Sequence, residues 1–269
     1  MRRVQRSHRV ADDAPEAMSL LLSDARSELG RLLVQRRAPG KVHINIAGQQ
    51  ANTLLHDGHA WKGFARAALA GVRRTLRTDA NMLVHASFAF VLGEPRKDPL
   101  RSIAAAILEC EQLVLAGPVP ACVVRLGYLY GPESRDLRAY RAAFRIGRPY
   151  WAGPREAAQY HLHQLDAVSA LLAGAKRRNA ERILYATDGK PLSFMQFMDD
   201  FARRVGNRFP LHVPRIATPL IKLIVREEHM QQAALAMPAR APGPRVPGWK
   251  PLFADYRNGL DQILEAWDA

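Results

Sequence analysis

The chain has 269 residues, 48% of them hydrophobic, and its 39 Lys plus Arg outnumber 25 Asp plus Glu to give a formal net charge of +14. This length and apolar content suit a globular fold with a full core and exclude a wholly disordered chain. No apolar run approaches the ~20 residues of a membrane-spanning helix, and the first residues lack the uncharged stretch of a secretory signal, so the expectation is a cytoplasmic protein, free or peripheral to a membrane complex. Cys110 and Cys122 lie in apolar segments without C-x-x-C spacing and read as buried free thiols. The charge surplus points to an anionic partner or to a solvated basic surface. The arginines carry no interleaved aromatic residues of the kind that stack on bases, which disfavours nucleic acid.

Residues 1–12, with Arg2, Arg3, Arg6 and Arg9, read as a flexible basic tail. From Asp13 the apolar residues Met18, Leu21, Leu22, Ala25, Leu29, Leu32 and Leu33 recur at helical spacing, predicting one amphipathic helix that ends near Pro39-Gly40. Val42–Ile46 predicts a buried strand, Trp61–Arg77 a helix and Met82–Phe88 a strand. A helix from Asp98-Pro99 to Val114 and a strand at Ala121–Arg125 follow. Such alternation predicts a parallel sheet with helices on both faces. Downstream, helices are expected at Asp136–Arg145, Ala167–Arg178 and Phe194–Val205, the last opened by a Ser193/Gln196 capping box, with a strand at Ile183–Gly189 between them.

Several short motifs occur in one order: Asn45-Ile46-Ala47-Gly48 after a strand, Leu92-Gly93, and Arg125-Leu126-Gly127-Tyr128-Leu129-Tyr130-Gly131-Pro132. They continue with His161–Asp166, Pro247-Gly248-Trp249-Lys250-Pro251 and a closing helix from Tyr256. In this order they resemble the extended short-chain dehydrogenases, the NAD-dependent epimerase/dehydratase family, over residues 41–269. The resemblance implies an incomplete Rossmann-like parallel sheet flanked by helices. A degenerate core would span residues 13–132, and residues 133–269 would supply the remaining core elements and a small C-terminal lobe.

Three things that the resemblance calls for are missing from the residues. A glycine-rich phosphate turn would seat a pyrophosphate on a helix N-terminus, but the glycines nowhere fall as G-x-G-x-x-G or G-x-x-G-x-x-G. None of the seven tyrosines has a lysine four residues on, and the positions of the family's Tyr-x-x-x-Lys pair are held by Ile103 and Ile107. Phe88 stands where a substrate-binding hydroxyl belongs, with Ser87 beside it on the opposite strand face. With only one predicted helix ahead of Val42, the nucleotide-binding unit reads as deleted or rebuilt, leaving a sheet edge that must be covered or paired.

These observations lead to the expectation of a pseudoenzyme: a degenerate relative of this family serving as a binding, structural or assembly subunit, with no cofactor and with a protein partner or larger assembly of anionic surface. The alternative is an active NAD(P)-dependent oxidoreductase or epimerase with a rebuilt site, binding NAD or NADP. Asn45, Gly48, Ser87, Arg125, Gly127 and Tyr130 would then be the residual ligand contacts. No metal site is expected: His161-x-His163 lacks further ligands at recognisable spacing, and His56-Asp57-Gly58-His59 reads as a polar loop. Leu220–Val225 reads as a helix packed on the small lobe or as a patch touching a partner.

Overall fold

The structure, a computed structural model, describes residues 19–36, 40–52, 63–221, 227–240 and 243–269. The basic tail, the His56–His59 loop and most of Leu220–Val225 lie outside the described residues. At the centre is a five-stranded sheet built from β1 (Ser19–Ser23), β2 (Lys41–Asn45), β3 (Met82–Phe88), β4 (Ala121–Leu126) and β8 (Arg182–Ala186), ordered β1-β2-β3-β4-β8. Every pairing in it is parallel, with Ser19 opposite Lys41, Val42 opposite Met82, Leu83 opposite Ala121 and Cys122 opposite Arg182.

Helices cover both faces because the central strands are apolar on both sides. Side chains alternate across the sheet. Val42, Ile44, Val84, Cys122, Val124 and Leu184 face one way, onto α1 (Glu28–Val34) and α5 (Gln164–Gly174), through Leu29, Leu33, Val168 and Leu171. Leu83 and Val123 face the other way, against Val72 of α2 (Phe64–Thr75) and Cys110 and Val114 of α3 (Leu100–Leu115). Each of these aliphatic side chains contributes about 1.5–3 kcal/mol by leaving water.

The remaining elements form the C-terminal part. β5 (Tyr128–Tyr130) pairs in parallel with β7 (His161–His163), and β6 (Ala158–Gln159) pairs antiparallel with β9 (Leu192–Ser193). Around them pack α4 (Arg135–Arg145), α6 (Phe194–Arg204), α8 (Glu227–Ala234) and α9 (Tyr256–Asp268), while α7 (Thr218–Ile221) is a short turn of helix. Phe144, Phe194, Phe197, Phe201, Leu260 and Ile263 fill their core. Both bonds of the Ser193/Gln196 capping box are present. His163 caps α5: its Nδ1 accepts the Leu165 amide at 3.3 Å. Asp166 accepts the Leu252 and Phe253 amides at 2.6 and 2.9 Å, tying the segment after Trp249 to the first turn of α5.

One expectation fails outright. Residues 19–36 are a strand, a turn and a two-turn helix rather than part of a single helix. Leu20, Leu21 and Leu22 are adjacent apolar residues between serines, and pairing with β2 outweighs the helical spacing they share with Leu29 and Leu33. The sheet has therefore not lost its centre. In a Rossmann sheet of order 3-2-1-4-5-6, the strand beside the fourth is the first. β1 holds that place beside β2, and only residues 35–40 lie between α1 and β2. Among the described residues no strand lies outward of β1, which is the edge of the sheet they form.

Candidate cofactor cleft

The turn from β1 into α1 lies at the carboxyl end of the strands, where open α/β sheets bind ligands. Its sequence, Asp24-Ala25-Arg26-Ser27-Glu28-Leu29-Gly30, has the spacing of a G-x-x-G-x-x-G turn with Asp24 and Ser27 in place of the first two glycines. Asp24 has φ of +68°, the left-handed conformation in which a glycine is usual. Gly30 is required by close packing, since a Cβ there would lie 2.3 Å from the Asp24 carbonyl oxygen. Ser27 closes the turn on itself: its hydroxyl donates to the Asp24 carbonyl at 2.8 Å and accepts the Gly30 amide at 3.1 Å. One amide that an anion at this helix end would need is thus already bound. The turn is hidden from a pattern of glycines alone, although its spacing to Gly30 is legible in the residues.

The next loop follows β2. Asn45, buried, holds His85 through Nδ2 and Nδ1 at 3.2 Å and accepts the Ala47 amide at 3.2 Å. Burial pulls the His85 pKa down to about 4, so the ring is neutral at pH 7. Gly48 has φ of +88°, and the Phe64 ring lies directly on it: a Cβ at position 48 would be 2.7 Å from Phe64 Cε2. Phe64 meets Phe88 edge-on at 5.6 Å, Phe88 meets Phe90 at 5.8 Å, and Phe90 stacks on Tyr128 at 6.3 Å. Ile103 and Ile107 belong to the same buried cluster.

Ser87, Arg125 and Tyr130 are occupied by the protein. Ser87 Oγ donates to Glu111 Oε1 at 2.5 Å. Arg125 makes a two-pronged ion pair with Glu111, at 2.8 and 2.6 Å, and donates to the Tyr185 hydroxyl at 2.8 Å. The carboxylate and hydroxyl partners raise the Arg125 pKa against the opposing effect of burial, the largest single influence on it. Tyr130 donates to Asp188 at 3.3 Å and is capped by α9 at Gly259, where a Cβ would come 2.5 Å from its hydroxyl. Burial, with the Asp188 carboxylate beside it, pushes the Tyr130 pKa upward, away from proton transfer near neutrality. Gly127 serves packing, since a Cβ there would lie 2.8 Å from the His161 carbonyl oxygen.

The cavities confirm this division. One of about 10 Å³ lies among Asn45, Phe64, His85, Phe88, Ile107 and Cys110. Others are larger. A polar cavity of about 350 Å³ is lined by Arg26, Glu28, Gln49, Asn52, Arg135 and Gln164, and one of about 620 Å³ by Ser23, His43, Gly48, Phe64, Gly71 and Thr75. Of the six candidate contacts, Gly48 borders an open cavity, Asn45 borders the 10 Å³ void, and Ser87, Arg125, Gly127 and Tyr130 line none of these three. Among the described residues no group of three or more His, Cys, Asp or Glu is placed to hold a metal ion. Nor is any helix among them long and apolar enough to cross a membrane.

No family model matches the sequence. Solved structures do match the fold. A human epimerase family protein with NADPH superposes with a TM-score of 0.70 at 13% identity, covering 92% of this chain and 99% of that one. RMD from Pseudomonas aeruginosa, complexed with NADPH, gives 0.68 at 16% identity over 93% and 99%. WbmG of Bordetella bronchiseptica, in complex with NAD and UDP, gives 0.64 at 13% identity over 96% of each. The fold is that of the extended short-chain dehydrogenase/epimerase enzymes. By sequence, a 3-diazoavenalumate denitrifying reductase from a Streptomyces species is 29% identical over 276 residues, 94% of this chain and 89% of its own length.

Solved structures of this fold hold NADPH or NAD, and three features at the ligand end of this sheet bear on how such a group would sit here. The turn that would seat a pyrophosphate carries the Ser27 and Asp24 side chains and is bonded internally. Among the described residues no strand lies outward of β1, where strands flanking an adenosine half would stand. Gly48, which would admit a ligand closely, is covered by Phe64.

Proposed function

We propose that this chain keeps the short-chain dehydrogenase/epimerase scaffold without its redox chemistry and serves as a binding or assembly component. The observation that carries this reading is the filled cleft. Phe64 packs on Gly48, and Phe88 packs with Ile103 and Ile107, leaving about 10 Å³ at the positions of the acid/base pair while a cavity of about 620 Å³ stays open beside Gly48. The net charge of +14 supports a partner with an anionic surface, a protein or a larger assembly at a membrane. The test is purification from the native host without dissociating conditions, with mass and released nucleotide both recorded. A defined complex free of nucleotide is expected. An isolated chain carrying stoichiometric NAD or NADP overturns the reading.

A second reading, a nicotinamide-dependent reductase, is favoured by one observation: the 29% likeness to a denitrifying reductase across nearly the whole chain. Reductive removal of nitrogen from a diazo carbon needs no proton relay of the Tyr-x-x-x-Lys kind, so Ile103 and Ile107 do not forbid it. The closed cleft does count against it. Consumption of NADPH with an aryl diazonium acceptor, abolished by unfolding the protein, would establish this second reading.

A further inference from the structure

Among the described residues β1 pairs with β2 alone, so its outer side is a row of backbone donors and acceptors at the edge of a parallel sheet. Native proteins blunt such edges with charges, prolines or bulges. Here the strand reads Ser19-Leu20-Leu21-Leu22-Ser23, with none of these, in a chain of net charge +14. Leu21 is 37% exposed, and Val34 on α1 is 60% exposed.

The five residues are palindromic. When two copies of such a strand meet about a two-fold axis they run antiparallel, and with Leu21 on the axis the register sets Ser19 against Ser23, Leu20 against Leu22 and Leu21 against its own counterpart. Every cross-strand pair is like with like in polarity, and none opposes equal charges. No charged residue lies within the strand, and Lys41, opposite Ser19 on β2, is paired with Asp79, so no unpaired like charges face each other across the seam. Residues 1–18 contain no comparable apolar run and carry Pro15 and several arginines, which makes them the poorer match for this edge.

We propose that β1 is a homodimer interface, joining the sheets of two copies into one ten-stranded sheet through antiparallel β1 pairing about Leu21. A closed two-fold contact of this kind is self-complementary and leaves no edge at β1.

The experiment uses the full-length protein. Light scattering after size exclusion at tens of micromolar is expected to give twice the monomer mass. Leu21→Lys, at an exposed position, is expected to give a monomer with an unchanged circular dichroism spectrum. Leu21→Cys is expected to form a disulfide-linked dimer under mild oxidation, whereas Ile216→Cys, at a residue 92% exposed away from the edge, is not. Cys110 and Cys122 are buried and give no background. A monomer for the unmodified chain overturns the proposal, including one whose β1 amides are protected from exchange by residues 1–18. So does a dimer whose mass is indifferent to Leu21→Lys.

Discussion

Phe64 rests its ring on Gly48, so close that a methyl group at position 48 would lie 2.7 Å from Cε2. The glycine is still there to allow a close approach, but a side chain of the protein makes it. Phe64 is 6% exposed and holds α2 to the loop after β2. Phe64→Ala is expected to cost about 3–5 kcal/mol, the range for deleting a buried phenyl ring, read from urea unfolding. A loss below about 1 kcal/mol would mean that the ring does not fill this place in solution.

Ser87, Glu111 and Arg125 form a buried polar unit in which each hydrogen-bonding oxygen of Glu111 is used. Removing the carboxylate leaves a guanidinium whose side chain is 12% exposed without its counter-ion. Glu111→Ala is therefore expected to cost about 3–5 kcal/mol. Ser87→Ala, losing one bond to a charged group, should cost about 1.5–3 kcal/mol. If these residues were free to bind a ligand, both effects would be small.

Ile107 is 2% exposed within an apolar cluster. Restoring the family's residue by Ile107→Lys should unfold the chain or shift its midpoint strongly, because an ammonium there is buried in an apolar cluster and the Glu111 carboxylate one turn on is already paired with Arg125. Ile107→Met, close in volume, should cost less than about 1.5 kcal/mol. Thermal melting distinguishes the two.

Burial holds His85, His161 and His163 neutral in the folded chain, with pKa values lowered to about 4, about 3 and about 4. Unfolded, each takes a proton near pH 6.5, so between pH 6.5 and 4 the unfolded state binds more protons and stability falls as pH falls. Each group steepens the loss by up to about 1.4 kcal/mol per pH unit. Urea unfolding at pH 7 and pH 5 should show a clear drop, reduced in His161→Phe. Equal stability at the two pH values would contradict the burial of these rings.

Much of this fold was legible in the residues. The runs Val42–Ile46, Met82–Phe88 and Ala121–Arg125 carry strand composition, and the Ser193/Gln196 box marks its helix end chemically. Ile103 and Ile107 were recognisable as packing residues from their type alone. The first βα unit was not legible, because Leu20–Leu22 fits a helical spacing as well as a strand, and the choice is made by β2, a partner remote in sequence. The turn at Asp24–Gly30 was hidden for another reason. A left-handed aspartate and a serine cap do the geometric work of glycines. What Ser87, Arg125 and Tyr130 do could not be read either, since their types suit a ligand as well as they suit Glu111, Tyr185 and Asp188.

The turn itself gives a further test. Gly30 approaches backbone, not a flexible side chain, so Gly30→Ala should displace α1 from β1 and lower the melting temperature. Ser27→Ala should cost about 1 kcal/mol, the usual loss for a helix cap. Neither change should alter any nucleotide affinity.

On the proposed reading the scaffold binds no dinucleotide. Calorimetric titration of the full-length protein with NADPH and with NADH tests it most directly. The account predicts no saturable heat for either up to millimolar concentration. A one-to-one isotherm in the micromolar range, weakened by Gly48→Val, would contradict it.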